Sequence, residues 1–514
     1  MTRRPVGTLC VVLHTHLPWV AHHGTWPVGE EWLHQAWSSS YLPLVEVLHR
    51  LAEDGMRDVL TLGLTPVLAA QLDDPYCLRE HHSWLGRWRL RAEELAGRRE
   101  PHLRELASYE FRAAERALTA FAGRWAHGGS AALRPLVDAG VVEHLGGPAT
   151  HPIQPLLPEP VARFALRTGL DDAALRLGHR PRGIWAPECA YRPGLEELYA
   201  EQGVTHFLVD QPLLEAAGVG TGSPWRLGTG DVTVVGRDLA LTDRIWSSRS
   251  GYPAGSAYRD FHTFDHDSGF RPAQVTGPAV APRDKLPYDP DAALAHTRKD
   301  AHDFVDAVHR RLRAVADAQG GRPGLAVVAY DTELFGHWWH EGPAFLEQVL
   351  RLLPQAGVRL ATLGQAVADL PAGTARLGTG SWGAGKDLRI WAGEQVHDLA
   401  RAGEAVTSRL QRVAARVGAP GTPRRTALDQ LGREALLALS SDWAFMVSRD
   451  SAAGYARERA LLHARRFHEL ADLLDRGEPS VGAVAARQRE TDGPFAHLDG
   501  RLAAPGRAGS ARRA

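Results

Sequence analysis

Two carboxylates sit where sequence context makes an idle surface charge improbable. Glu188 lies in Gly183-Ile-Trp-Ala-Pro-Glu-Cys-Ala-Tyr191, directly after an apolar run and a proline. Asp331 lies in Ala329-Tyr-Asp-Thr-Glu-Leu-Phe-Gly-His-Trp-Trp-His340, again just past an apolar run. A carboxylate packed beside a residue such as Trp185 is costly unless it is hydrogen-bonded or used. Capping of the following helix would also satisfy Glu188, and Glu333 competes with Asp331 for the second position. A facing pair of this kind is what retaining glycoside chemistry requires. One carboxylate attacks the anomeric carbon, while the other protonates the leaving oxygen and then activates the acceptor, the two standing about 5–5.5 Å apart.

Histidines and tryptophans gather around the same segments. His14-Thr-His16, His151, His337 and His340 offer neutral imidazoles, which are zinc ligands in other contexts. No H-E-x-x-H is present and no aspartate accompanies His14 and His16. The expectation is therefore no metal and no cofactor, with sugar hydroxyls as the imidazoles' partners. The isolated pairs His22-His23 and His81-His82 read as ordinary surface or core residues. The chain holds 15 Trp, whose faces stack on the apolar side of sugar rings. Trp382 and Trp391 bracket Gly380-Ser-Trp-Gly-Ala-Gly-Lys-Asp-Leu-Arg-Ile-Trp391, where glycines permit close approach to a ligand. Both are candidate stacking platforms for the acceptor sugar, though Trp391 fits a core role equally well. The glycine spacing does not match a phosphate-binding loop.

Short aliphatic runs position these residues: Gly7–Leu13, Asp58–Leu62, Val141–Leu145, Gly183–Trp185, Val204–Val209, Val232–Val235, Leu325–Ala329 and Val358–Thr362. Helical patterns lie between many of them, at Tyr41–Asp54, Glu105–Arg124, Pro160–Leu177 and Pro193–Gln202. Strands alternating with helices predict a parallel sheet, and seven or eight such units predict an α/β fold closed as a (β/α) barrel. His14, His16, His151, Glu188 and Asp331 all follow strands, which puts them together at the C-terminal mouth of the barrel. After Gly418 the strand signal stops, and Arg425–Leu439 and Ser451–Arg476 are strongly helical. The expected organisation is a catalytic barrel over 1–370 with a helical insertion around 75–130. A Trp/Gly-rich active-site loop and connecting segment follows over 371–417, then a helical domain over 418–500 and a disordered tail over 501–514.

Composition narrows the function classes. The 514 residues carry a net charge of −1, so no global field points to nucleic acid, an anionic membrane or an acidic substrate. Three scattered cysteines, Cys10, Cys77 and Cys189, fit a reducing cytoplasm without disulfides. Met1-Thr-Arg-Arg precedes an apolar run that is too short for a leader and continues into His14-Thr-His16, so it reads as a strand. No apolar stretch is long enough to span a bilayer. A cytoplasmic monomer or weak homo-oligomer is expected.

Five segments in order, His14-Thr-His-Leu-Pro18, Ala149-Thr-His151, Trp185-Ala-Pro-Glu188, Tyr330-Asp-Thr-Glu-Leu-Phe-Gly-His337 and Ser381-Trp-Gly-x-Gly385, resemble the family 57 glycoside hydrolases. Within that family the pattern is similar to the 1,4-α-glucan branching enzymes of the actinobacterial branch, over about Gly7 to Asp499. The resemblance implies a distorted (β/α)7 barrel with an inserted helical segment and a C-terminal all-helical domain. It implies Glu188 as nucleophile and Asp331 as acid/base. It also implies substrate contacts at Arg259, Gly277, Trp382 and Asp442, and at Ser451, where relatives carry glutamine. His14, His16, His151, Trp185, His337, Trp338 and Trp391 complete the candidate contacts. Relatives often continue the second motif as His-Gly-Tyr, where this chain has His151-Pro-Ile-Gln-Pro155. They also carry an aromatic-tipped loop over the site, for which Gly218–Gly230 here offers only Trp225. The implied substrate is an α-glucan such as glycogen, amylose or a methylated glucose polysaccharide, with a segment transferred to a 6-hydroxyl. The alternatives are a 4-α-glucanotransferase or α-amylase of the same family, or a zinc-dependent deacetylase or mannosidase.

Overall fold

The computed structural model describes residues 5–228, 230–247, 250–417 and 426–505. Seven parallel strands run round a barrel in chain order: β1 (Gly7–Thr15), β2 (Leu60–Leu64), β3 (Val142–Leu145), β4 (Gly183–Ile184), β5 (His206–Asp210), then, past a short β6 (Trp225–Leu227), β7 (Thr233–Arg237) and β8 (Gly324–Asp331). The circuit is distorted at two seams. Between β3 and β4 it is carried by Gly146, which donates to the Gly183 carbonyl and accepts from Trp185 N–H. Between β7 and β8 the bond from Asp238 N to Val327 O, 2.7 Å, does the same. β8 returns to pair with β1 along its length, from Gly7 opposite Gly324 to His14 opposite Asp331. The N-terminal half of β1 also pairs with β9 (Arg359–Leu360), and β10 (Gly373–Ala375) lies along β6.

The sequence explains these elements. Strand residues are β-branched or aliphatic and buried on both faces, as a helix-covered parallel sheet demands. The barrel interior is filled by Cys10, Val12, Leu145, Leu208, Val235, Leu325, Val327 and Ala329, and is closed at the top by Trp185 and Cys189. Helices start at prolines preceded by capping aspartates: Asp74 accepts from Tyr76 and Cys77 N–H, and Asp289 from Asp291 and Ala292 N–H. The helical insertion comprises Pro75–Leu95 and Pro101–Gly123, tied together by Trp88 Nε1 donating to Glu110 at 2.9 Å.

The C-terminal helical unit begins earlier than the expected residue 418. His397–Val417 is a 21-residue helix that buries Val406, Leu410 and Val413, and Thr426–Ala438, Ser441–Ser448, Ala453–Arg476 and Val481–Arg489 follow. At the other end, Gly500–Ala503 forms a 3-10 turn with Ala503 fully buried, so order persists past residue 501. Residues 506–514, the outer part of the expected tail, lie outside the described residues. All three cysteines are buried and unpaired. Among the described residues, no helix is long and apolar enough to cross a membrane.

Candidate active site

The backbone is bent to present Glu188. Pro187–Cys189 form a 3-10 turn after β4, and Glu188 (φ 58°) and Cys189 (φ 51°) both take left-handed conformations, as does His151 (φ 61°). Each such non-glycine residue costs roughly 1–2 kcal/mol, strain that survives where the surrounding structure enforces it. Glu188 Oε2 accepts from Trp382 Nε1 at 2.8 Å, the Glu188 carbonyl accepts from Trp382 N at 2.9 Å, and Oε1 lies 4.0 Å from His151 Nδ1. Burial pushes the Glu188 carboxyl up to about 8; the Trp382 N–H works against that rise, and the charges of Asp331 and Asp442 add to it. Asp331 ends β8 directly beside His14 of β1. Burial raises it to about 6, with His16 and Arg237 pulling it down and Asp442 pushing it up. The rival carboxylate differs in its packing: Glu333 is turned into the protein, where Oε1 accepts from Tyr41 Oη at 2.5 Å.

The imidazoles form a wall. His14 stacks on Trp185 at 4.2 Å and 9°, His151 on His14 at 5.0 Å, and His16 on His151 at 4.0 Å. Burial holds His14 and His151 well below the usual imidazole range, so both are neutral. Neither ring nitrogen of His14 has a partner, nor does His151 Nε2. Orphaned buried polar atoms beside the two carboxylates suit a ligand rich in hydroxyls. His16 is fixed from both ends, by Thr65 Oγ1 on Nδ1 at 2.9 Å and Asp442 Oδ2 on Nε2 at 2.9 Å. Burial alone would raise Asp442, but the His16 contact, with His151 and the Ser440 hydroxyl, holds it down at about 2. His16, His151 and Asp442 offer donor atoms within 4.8 Å of one another, enough to hold a divalent ion. In the present arrangement His16 Nε2 is bonded to Asp442 and His151 Nδ1 to Ser441 Oγ at 2.9 Å, so a metal on His16 Nε2 would have to displace its bond with Asp442.

Trp382 does more than the sequence suggests. Expected as a stacking platform, it uses its indole N–H to hold the Glu188 carboxylate, because the 380–387 loop folds back over β4 with Tyr191 and Gly380 exchanging backbone bonds. Its ring meets Trp185 edge to face at 5.1 Å and lies under the Arg237 guanidinium at 4.9 Å. Arg237 and Asp210, the last residues of β7 and β5, are joined by bonds of 2.9 and 2.8 Å, and Lys386 Nζ reaches the other Asp210 oxygen at 2.7 Å. Sequence reasoning missed this trio; the only signal was a charged residue ending each apolar strand. Trp391 is 4% exposed and packs against Ile153 and Ala190, a core residue and no platform. Trp225 is no lid. It lies on β6, opposite Val234 in the N-terminal half of β7, away from the mouth.

The remaining candidates divide. Asp442, His14, His16, His151 and Trp185 join the carboxylates. Arg259 is engaged elsewhere: its guanidinium pairs with Glu110 and donates to the Arg271 carbonyl, and it lines a cavity of about 810 Å³ whose walls include neither Glu188 nor Asp331. His337 lines the same cavity. Gly277 lies in the loop beside it, with its N–H on the Val275 carbonyl. Trp338 is 42% exposed, edge to face with Trp246 at 6.3 Å. Ser451 is exposed and its N–H ends the preceding helix on the Met446 carbonyl, so it offers no pocket contact here.

Known proteins supply the context. Residues 10–375 match the model of glycosyl hydrolase family 57, and residues 403–502 match that of the C-terminal domain of 1,4-alpha-glucan branching enzymes. The chain is 50% identical to a probable 1,4-alpha-glucan branching enzyme of Mycobacterium tuberculosis, an alignment covering 96% of this chain and 98% of that protein. The crystal structure of a branching enzyme from the hyperthermophilic archaeon Thermococcus kodakaraensis, in complex with glucose and additives, superposes with a TM-score of 0.90 at 32% identity, covering 98% and 97% of the two chains. The alpha-amylase AmyC of Thermotoga maritima superposes with a TM-score of 0.87 at 25% identity, covering 97% and 99%.

Proposed function

The chain belongs to glycosyl hydrolase family 57, and from that membership we propose that it is a 1,4-α-glucan branching enzyme working by retaining double displacement on Glu188 and Asp331. Glu188 attacks C1 of an α-1,4-linked glucose while Asp331 gives its proton to the departing O4, leaving a covalent β-glucosyl ester. Asp331 then takes the proton of an acceptor 6-hydroxyl as that oxygen attacks C1 and displaces Glu188, forming an α-1,6 branch with net retention. The observation that carries this reading is the environment of the pair. Glu188 is held by the Trp382 N–H, Asp331 ends β8, and neutral His14 and His151 with unfilled ring nitrogens stand beside them. The buried free thiols fit a reducing, cytoplasmic setting.

The test is incubation with amylose, followed by enzymatic debranching and sizing of the products. Branching gives α-1,6 linkages in excess of new reducing ends. Reducing ends without α-1,6 linkages would mark an amylase, and redistributed α-1,4 chain lengths alone would mark a 4-α-glucanotransferase.

A further inference from the structure

We propose that Arg237 is a positioning residue for this reaction: seated on Asp210, it presses the Trp382 indole into its hydrogen bond with Glu188. The role rests on the functional reading above, and it follows from four contacts. Asp210, 1% exposed, holds the Arg237 guanidinium through Nε and Nη2, both on the single oxygen Oδ1, so the cation's position is fixed by two charge-assisted contacts. The guanidinium then lies over the Trp382 face at 4.9 Å, a cation–π contact strengthened by burial. From the other side Lys386 Nζ bridges Asp210, at 2.7 Å, and the Trp382 carbonyl, at 3.1 Å. Trp382 in turn donates side-chain and backbone N–H groups to Glu188. The ends of β5 and β7 and the loop over the mouth are thereby locked to the nucleophile through one ring.

The same cation acts on the charge of the acid. Asp331 feels the charges of His16 from β1, Arg237 from β7 and Asp442 from the C-terminal helices, and its own charge raises Glu188 and Glu333. Arg237 lowers the pKa of Asp331, so removing it raises that pKa and moves the loss of the acid's proton to higher pH. Glu188 loses the clamp on its hydrogen-bond donor at the same time. The result is a slower enzyme whose lower limb, near pH 6, lies further up the pH scale.

The experiment measures kcat and KM on amylose from pH 5 to 10 for wild type, Arg237→Gln, Arg237→Lys and Lys386→Met. Arg237→Gln should lower kcat about tenfold or more, leave KM within about twofold, and shift the lower limb upward. Arg237→Lys should return the limb toward its wild-type place while kcat stays low, because an ammonium restores charge without the planar contact. Lys386→Met should lower kcat moderately and leave the limb in place. A folded Arg237→Gln with wild-type kcat and an unmoved limb overturns the proposal. If that variant does not fold, an unmoved kcat in both Arg237→Lys and Lys386→Met overturns it instead. Wild-type protein that forms no α-1,6 linkages defeats the functional reading; wild type that branches beside an indifferent Arg237→Gln defeats only the positioning role.

Discussion

At the residue scale the site is a problem in where one proton sits. Glu188 at about 8 and Asp331 at about 6 place the resting proton on Glu188, the reverse of what attack requires. Attack runs through the form with the proton on Asp331 and Glu188 ionised, the form to which the Trp382 N–H donates. The two steps belong to the pair, and only its singly protonated form is competent. The kcat/KM profile on amylose should therefore fall below about pH 6, where both carboxyls are protonated, and above about pH 8, where both are ionised. A single limb, or limbs that stay when Asp331→Asn is tested, would contradict the assignment. Glu188→Gln should abolish transfer and hydrolysis together, by about a thousandfold or more, with near-UV and far-UV dichroism unchanged. Since Glu188 is already an unusual left-handed residue held by its neighbours, the amide can occupy the same backbone. Trp382→Ala removes the nucleophile's hydrogen bond, so branching and hydrolysis should fall in parallel, read as α-1,6 linkages and reducing ends from one digest.

At the element scale, the strands that build the barrel were legible and the loops that finish the site were not. Eight aliphatic runs in the sequence correspond to β1, β2, β3, β4, β5, β7, β8 and β9, because a strand buried on both faces must be apolar throughout. β6 and β10 have three residues each among glycines and prolines and leave no pattern of that kind. Asp210 and Arg237 were equally silent: their meeting depends on the neighbouring register of β5 and β7, which places them opposite each other. The loop after β8 shows how tightly such finishing segments are built. Gly336 has φ 112°, and a Cβ there would lie 1.8 Å from the Ser39 carbonyl oxygen. Ser39 belongs to a wide π turn, Trp37–Tyr41, that delivers Tyr41 to Glu333 and lets Ser40 Oγ accept from His337 N–H. Gly336→Ala should destabilise the fold by about 3 kcal/mol, combining the left-handed penalty with overpacking against backbone. Urea titration measures this, and a shift below about 1 kcal/mol would mean the turn yields.

At the scale of the whole molecule, the C-terminal helices contribute side chains to the candidate site. They supply Asp442 and Ser441 to His16 and His151, and Asp442 sits on a helix that the barrel strands cannot position alone. The attachment is a buried polar latch. Asp492, fully buried, accepts from His23 of the β1 loop at 2.7 Å and pairs with Arg466, while Arg459 donates to the Trp19 carbonyl at 2.9 Å. A latch of this kind couples two hydrophobic cores, because opening it strands a charge in the interior. Asp492→Ala leaves Arg466 without its carboxylate and should cost about 3–5 kcal/mol, the penalty for breaking a buried pair from one side. If barrel and helices unfold as one unit, calorimetry should show a single transition for wild type and a single, lower one for the variant, with branching lost in the same step. The pairs hold the Asp492 pKa well below its ordinary value, so this contribution is present above the unfolded carboxylate's pKa and is lost as pH falls through the folded one. The gap between wild type and Asp492→Ala should therefore narrow on acidification. Two separate transitions in the wild type, or a gap that widens toward acid, would show that the helices are attached to the barrel by something other than this latch.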